Sequence, residues 1–179
     1  MPKYVAFLRA INVGGHTVKM DHLRSLFAAL GFANVETFIA SGNVIFDSPS
    51  KTPAALERKI EKHLFDSLGY KVGTFIRSVN ELTEVVRYQP FPPGDMAAEG
   101  SVVFIGFLPG NPGDEAQKKL TASVTNVEDF HFHGREVYWL YRRKLGATDF
   151  PGARIEKTLG MPATLRNSNT VRRIVEKYS

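Results

Sequence analysis

A chain of 179 residues with 43% hydrophobic and 23% charged side chains has the makeup of an ordinary globular protein, one domain or two small ones fused. It contains no cysteine, which excludes disulfides, thiolate nucleophiles, thiolate zinc sites and iron–sulfur clusters. The net charge of +5 is uneven: residues 91–134 hold two Lys/Arg against six Asp/Glu, and residues 135–179 hold ten against four.

The first residues, Met1 to Arg9, have too short an apolar core for a signal peptide, and no apolar run approaches the ~20 residues of a membrane helix. With the missing cysteines, this reads as a cytoplasmic protein without a membrane partner.

Lys3 to Arg9 is rich in aromatic and β-branched residues and predicts a strand. Gly14-Gly15 breaks it. Met20 to Leu30 then places Leu23, Leu26, Phe27 and Leu30 on one helical face, stopped at Gly31. Val35–Ile39 and Asn43–Asp47 read as a hairpin turned at Ala40-Ser41-Gly42, with Gly42 free to take positive φ. Thr52-Pro53 marks a helix start, Leu56, Ile60, Leu64 and Leu68 recur every four residues, and Gly69 ends the helix. Lys71–Arg77 is the next strand. The order β-α-β-β-α-β is that of the ferredoxin-like fold.

A short helix over Val79–Tyr88 leads to Gln89-Pro90-Phe91-Pro92-Pro93-Gly94-Asp95, where proline stops regular structure. The chain therefore divides into an N-terminal half, 1–89, a proline-rich linker, 90–100, and a C-terminal half, 101–179. That second half reads as a strand at 101–108, a helix from 111 to about 122, a hairpin over 127–142 turned at Gly134, a helical turn or two at 155–160, and a last helix at 171–178. It echoes the first half with its last strand weak or missing. The fold class is α+β, tandem ferredoxin-like half-domains with antiparallel sheets and helices on one face.

Three polar stretches are candidate binding sites. In the first, Arg9, Asn12, Gly14, Gly15 and Lys19 lie where a strand turns into a helix, a geometry that presents backbone N–H groups and cations to an anion. The alternative is a structural connection in which Asn12 bonds its own backbone. The second is the hairpin tip, Ser41 and Asn43, which turn chemistry also explains. The third is Arg166, Asn167, Asn169 and Thr170, where one or two residues serve as a helix cap and the others make a polar corner suited to an anion. His131 and His133, spaced i and i+2 on a strand, would share a face, but no recognised spacing supplies a third metal ligand. Tyr138, Trp139 and Tyr141 beside Arg142-Arg143-Lys144 suit either nucleic-acid stacking or core packing.

These blocks together resemble a family. Arg9-x-Ile11-Asn12-Val13-Gly14-Gly15, Leu23-x-x-Leu26, Leu30-Gly31-Phe32, Ser41-Gly42-Asn43-Val44, Pro90-Phe91, Glu136-Val137-Tyr138 and Glu156-Lys157-x-Leu159-Gly160-x-x-x-Thr164-x-Arg166-Asn167-x-Asn169-Thr170 are similar to the bacterial domain-of-unknown-function family 1697, from about residue 3 to 176. The chain departs from it at Ser168, where the family often has tryptophan. The resemblance implies two ferredoxin-like subdomains and names no reaction and no cofactor. The functional expectation is a small anionic or phosphate-bearing ligand in a polar pocket between the two halves. The alternative is a nucleic-acid-binding module using the basic 135–179 segment, and the two differ in how steeply salt weakens binding. Whether the protein is an enzyme, and its oligomeric state, stay open at this point.

Overall fold

The structure, a computed structural model, describes residues 1–12, 15–143, 146 and 149–179, with the backbone alone at 40 and 41. Gly14 and the side chain of Ser41, both candidate site residues, lie outside the described residues. The chain forms two units, Met1–Thr83 with Ile174–Ser179, and Glu84–Arg173.

In the first unit, β1 (Lys3–Arg9), α1 (Met20–Ala28), β2 (Ala33–Phe38), β3 (Ala40–Asp47), α2 (Pro53–Leu68) and β4 (Gly73–Ser78) make an antiparallel sheet of order β2-β3-β1-β4. Alternation along β1 sends Tyr4, Ala6 and Leu8 into a core with Leu23, Leu26 and Phe27 of α1 and Leu56, Ile60 and Leu64 of α2. The helix periodicities read from sequence are therefore those of buried faces. Gly69 closes α2 in the left-handed region, at φ 82°, with its amide donating to the Phe65 carbonyl.

The hairpin between β2 and β3 turns one residue earlier than expected. The left-handed position is Ile39, at φ 67°, and not Gly42. The register shifts between Thr37 and Phe38, and the buried Asn43 carboxamide spans the irregularity by donating to the Phe38 carbonyl at 3.1 Å. That side-chain bond fixes where the chain reverses. A β-branched residue in the left-handed region costs about 1–2 kcal/mol, and Ile39 is 49% exposed, so little burial repays it. Ile39→Gly is expected to stabilise the protein by about 0.5–1 kcal/mol after the loss of chain entropy, measured by urea denaturation. A destabilised variant would contradict this account of the turn.

α3 (Val79–Arg87) follows, and Pro93 then opens a short helix, α4 (Pro93–Ala97), inside the stretch expected to be irregular. Proline lacks only an N–H that a first turn leaves unbonded in any case. β5 (Val102–Phe107), α5 (Asp114–Thr121), β6 (Glu128–His133), β7 (Glu136–Tyr141), α6 (Gly152–Leu159) and β8 (Thr164–Asn167) form the second sheet, of order β6-β7-β5-β8. This is the order of the first sheet again, so the second half is a complete βαββαβ unit. The strand read as weak or missing is β8, paired with β5 from Phe104↔Asn167 to Phe107↔Thr164. Its core gathers Leu120, Phe130, Val137, Trp139, Ile155 and Leu159. Gly106 is required in the middle of β5, since a Cβ there would stand 2.7 Å from Val137 Cγ1. The last helix, α7 (Ser168–Tyr178), begins in the second unit, and its final residues belong to the first. There the Tyr178 ring meets Phe38 edge-on at 5.9 Å.

Candidate functional site

The opening stretch is held by its own neighbours. β1 ends at Arg9, and the chain turns through Ala10 at φ 61° and again through Gly15 at φ 83°. Asn12 Oδ1 accepts the Val18 amide at 2.7 Å, a structural bond across the loop and not to its own backbone. The Tyr70 hydroxyl donates to the Ile11 carbonyl at 2.9 Å, and the His16 ring stacks on Tyr70 at 3.8 Å. Ile11 and Val18 are buried, whereas Arg9, Asn12, Gly15 and Lys19 are exposed. Lys19 stands at the N-cap of α1 and its carbonyl accepts the Leu23 amide. In register, Phe7 faces Asn43, so the opening turn and the hairpin tip share one end of the first sheet.

The C-terminal corner is built on β8 and the start of α7. Asn167 Oδ1 accepts the Asn169 amide at 2.9 Å and so caps α7, whose start is three residues earlier than read from sequence. Asn169 Oδ1 accepts from Arg172 Nη1 at 2.7 Å, one turn further on. Thr170 is half-buried in the first turn. Arg166 lies opposite Ile105, and its guanidinium donates to Thr164 Oγ1 at 2.8 Å and the Leu165 carbonyl at 3.0 Å. Burial lowers its pKa to about 10, which leaves it charged at neutral pH.

Asn167, Ser168, Asn169 and Arg172 are polar lining residues of a cleft of about 250 Å³ in the second unit. Its apolar part comes from Val85 and Val86 of α3, Val102, Val103 and Ile105 of β5, and the rings of Tyr88 and Tyr138. Tyr138 donates its hydroxyl to the Val85 carbonyl at 2.9 Å, and burial, then the charges of Glu136 and Tyr88, raise its pKa well above the ordinary phenol value. With its hydroxyl held by the Val85 carbonyl, the ring stands as a fixed wall of the cleft. Of the residues marked from sequence, Asn167 and Asn169 line this cleft and Arg166 and Thr170 do not. Arg172, Tyr88 and the valines were missed. Arg172 had one sequence signal, its spacing of three from Asn169 on a helix.

Tyr88 also engages the histidine pair. Its hydroxyl is 2.6 Å from His131 Nε2, and its ring stacks on His133 at 3.8 Å. The two imidazoles share a face, as their spacing requires, and one tyrosine occupies both. Burial, then the charge of His133, holds His131 below its ordinary pKa. Among the described residues no three His, Asp or Glu side chains gather as a metal would need.

The charge asymmetry of the sequence is partly folded inward. Arg154 grips the buried Glu128 with both terminal nitrogens, Nη1 at 2.8 Å and Nη2 at 2.6 Å, and Arg142 pairs with Asp129. Each pair joins the basic segment to the acidic one. Trp139 is buried and donates to Glu128 at 2.8 Å, and Tyr141 is buried beside it, so these aromatics are core residues. No helix among the described residues is long and apolar enough to cross a membrane.

With this geometry in hand, the chain can be compared with known proteins. It is similar in fold to the conserved bacterial protein SP0830 from Streptococcus pneumoniae, with a TM-score of 0.74 and 23% identity over 99% of this chain and 98% of that one. No curated protein matches it. The family described as "Protein of unknown function (DUF1697)" matches residues 1–138, a span that includes the opening stretch and the hairpin tip and stops before the cleft's polar lining residues. Matched over more than three quarters of its length, the chain belongs to the DUF1697 family.

Proposed function

We propose that the protein binds a small organic anion, apolar at one end and bearing a carboxylate or phosphate at the other, in the cleft of the second unit. The observation that carries this reading is the polarity of the cleft. Val102, Val103 and Ile105 line it together with Asn167, Asn169 and Arg172, and Asn167 pairs across the sheet with Phe104, so amide and guanidinium groups stand beside the apolar side chains. Apolar walls with a few placed polar groups are what small-molecule sites use. Arg172 spends one N–H on Asn169 and has others to offer an anion. The start of α7 adds partial positive charge beside these groups. The volume of about 250 Å³ lies under the ~300–1,000 Å³ of drug-sized pockets, so the occupant is a small metabolite and not a dinucleotide. The candidate residues Arg9, Asn12, Lys19 and Asn43 belong to the first unit and have no part in this reading.

A thermal-shift panel of aliphatic and aromatic carboxylates and phosphate monoesters tests the proposal. A ligand at a hundred times its Kd adds about 2.7 kcal/mol, a rise of roughly 5–10 °C for a chain this size. The rise is expected to vanish in Arg172→Ala and to fall only shallowly with salt. No shift across the panel would count against the cleft. A steep salt slope with oligonucleotides would favour nucleic-acid binding through the basic segment.

A further inference from the structure

A sheet edge is a template for another strand unless something blunts it. In the first sheet, the β4 edge is covered by carboxylates: the amides of Thr74, Ile76 and Ser78 donate to Glu61 at 3.0 Å, Glu57 at 3.3 Å and Glu81 at 2.7 Å. The opposite edge, β2, is broken by two register shifts. In the second sheet, β8 is four residues long and runs straight into α7.

The remaining edge, β6, has none of these devices. It pairs with β7 without a register shift from Glu128↔Tyr141 to His133↔Glu136. The two-residue turn at Gly134-Arg135 makes His133↔Glu136 a hydrogen-bonded pair. The Arg142 amide donating to the Val127 carbonyl at 2.8 Å belongs to the same set. Residues 127, 129, 131 and 133 therefore bond β7, and the backbones of Glu128, Phe130 and Phe132 face outward. The Glu128 amide is already used, donating to the Thr125 carbonyl at 3.4 Å. The outward groups of Phe130 and Phe132 have no hydrogen-bond partner among the described residues. Asp129 pairs with Arg142, and both side chains are half-buried.

We propose that β6 pairs with β6 of a second copy of this chain, antiparallel about a two-fold axis at His131, joining two four-stranded sheets into one of eight strands. This register uses only the open amides, because it sets Phe130 opposite Phe132 of the partner subunit and leaves Glu128 to Thr125. An antiparallel strand paired with itself is an isologous contact and closes as a dimer. Side-chain chemistry fits the same register. Asp129 falls opposite His133 of the partner subunit, twice by symmetry, and aromatic rings meet on the other face. Stacking on Tyr88 holds His133 in place for that pairing. A partner peptide of different sequence would need to supply this complementarity, whereas a second copy carries it.

Sedimentation equilibrium of the full chain from micromolar to sub-millimolar concentration tests this. The wild type is expected at twice the 19.9 kDa chain mass at the upper end. His133→Glu sets two acids against Asp129 at an exposed position and is expected to weaken the dimer roughly a hundredfold. His133→Lys sets a cation against Asp129 and is expected to stay dimeric. Phe132→Pro removes an outward N–H while sparing every bond to β7, and is expected to be a folded monomer; should it not fold, the two His133 variants decide. A wild type at single-chain mass throughout overturns the proposal. So does a dimer indifferent to His133→Glu, or one lost equally in His133→Lys.

Discussion

Replacing Glu128 with glutamine is expected to lower stability by about 2–3 kcal/mol at neutral pH. Glu128 is 4% exposed and takes two bonds from Arg154 and one from the Trp139 indole. Removing its charge leaves the Arg154 guanidinium facing a neutral amide. The Arg154 side chain is 34% exposed and can rehydrate in part, which keeps the loss below that of a fully enclosed pair. The pH dependence follows from the same contacts. Burial alone would raise the Glu128 pKa. Hydrogen bonds from Arg154 and Trp139, then the Thr125 amide and the charge of Arg154, outweigh it and hold the carboxyl below its ordinary 4.5. The folded protein thus binds this proton less readily than the unfolded chain. The stabilisation is complete above the ordinary carboxylate range and is lost as pH falls through the lowered value. Wild type and Glu128→Gln should therefore differ most near pH 7 and converge in acid. Trp139 is the sole tryptophan, so its fluorescence during urea denaturation reads this unit directly. A loss under 0.5 kcal/mol at pH 7, or one that persists unchanged in acid, would contradict the account.

Phe46→Ala is expected to cost about 3–5 kcal/mol, the range for removing a fully buried phenylalanine. Phe46 is the hub of the first core. Its ring stacks on Phe32 at 4.4 Å and meets Phe27 and Tyr4, each at 5.8 Å. It is 0% exposed, and it comes from β3 while its neighbours come from α1, from the residue just before β2 and from β1. Deleting it leaves a cavity that no single element can close. Phe46→Leu keeps most of the volume and should cost under about 1.5 kcal/mol. Denaturation followed by far-UV circular dichroism checks both. Equal losses for Ala and Leu would mean that the aromatic contacts, and not the packed volume, hold this core.

How far the sequence disclosed this fold depended on periodicity. β1 and α2 were legible almost to the residue, because alternation and a four-residue repeat each had one reading. β8 was not, because Thr164-Leu165-Arg166-Asn167 is short and polar, and it is a strand only through its pairing with β5. The hairpin was read as turning over Ala40-Ser41-Gly42 and reverses instead at Ile39, because a side-chain bond from Asn43, and not glycine's freedom, decides the reversal. The candidate site was legible in the same partial way. Asn167 and Asn169 stood out as more amide side chains than a helix cap requires. Val85, Tyr88 and Ile105 lie far from Asn167 and Asn169 in the chain, and only the folded second unit brings them to one cleft. In the opening stretch the polar residues were visible, but their local partners were not, and Asn12 holds its own loop.

The most direct test of the cleft is a nitrogen-15 correlation titration of the full chain with benzoate and with phenyl phosphate, repeated on Arg172→Ala. Binding in the cleft should move the amides of Asn167 to Arg172 and of Val102 to Ile105 in a saturable way, and the variant should lose that response. Saturable shifts confined to residues outside the cleft, or an unchanged response in Arg172→Ala, would contradict it.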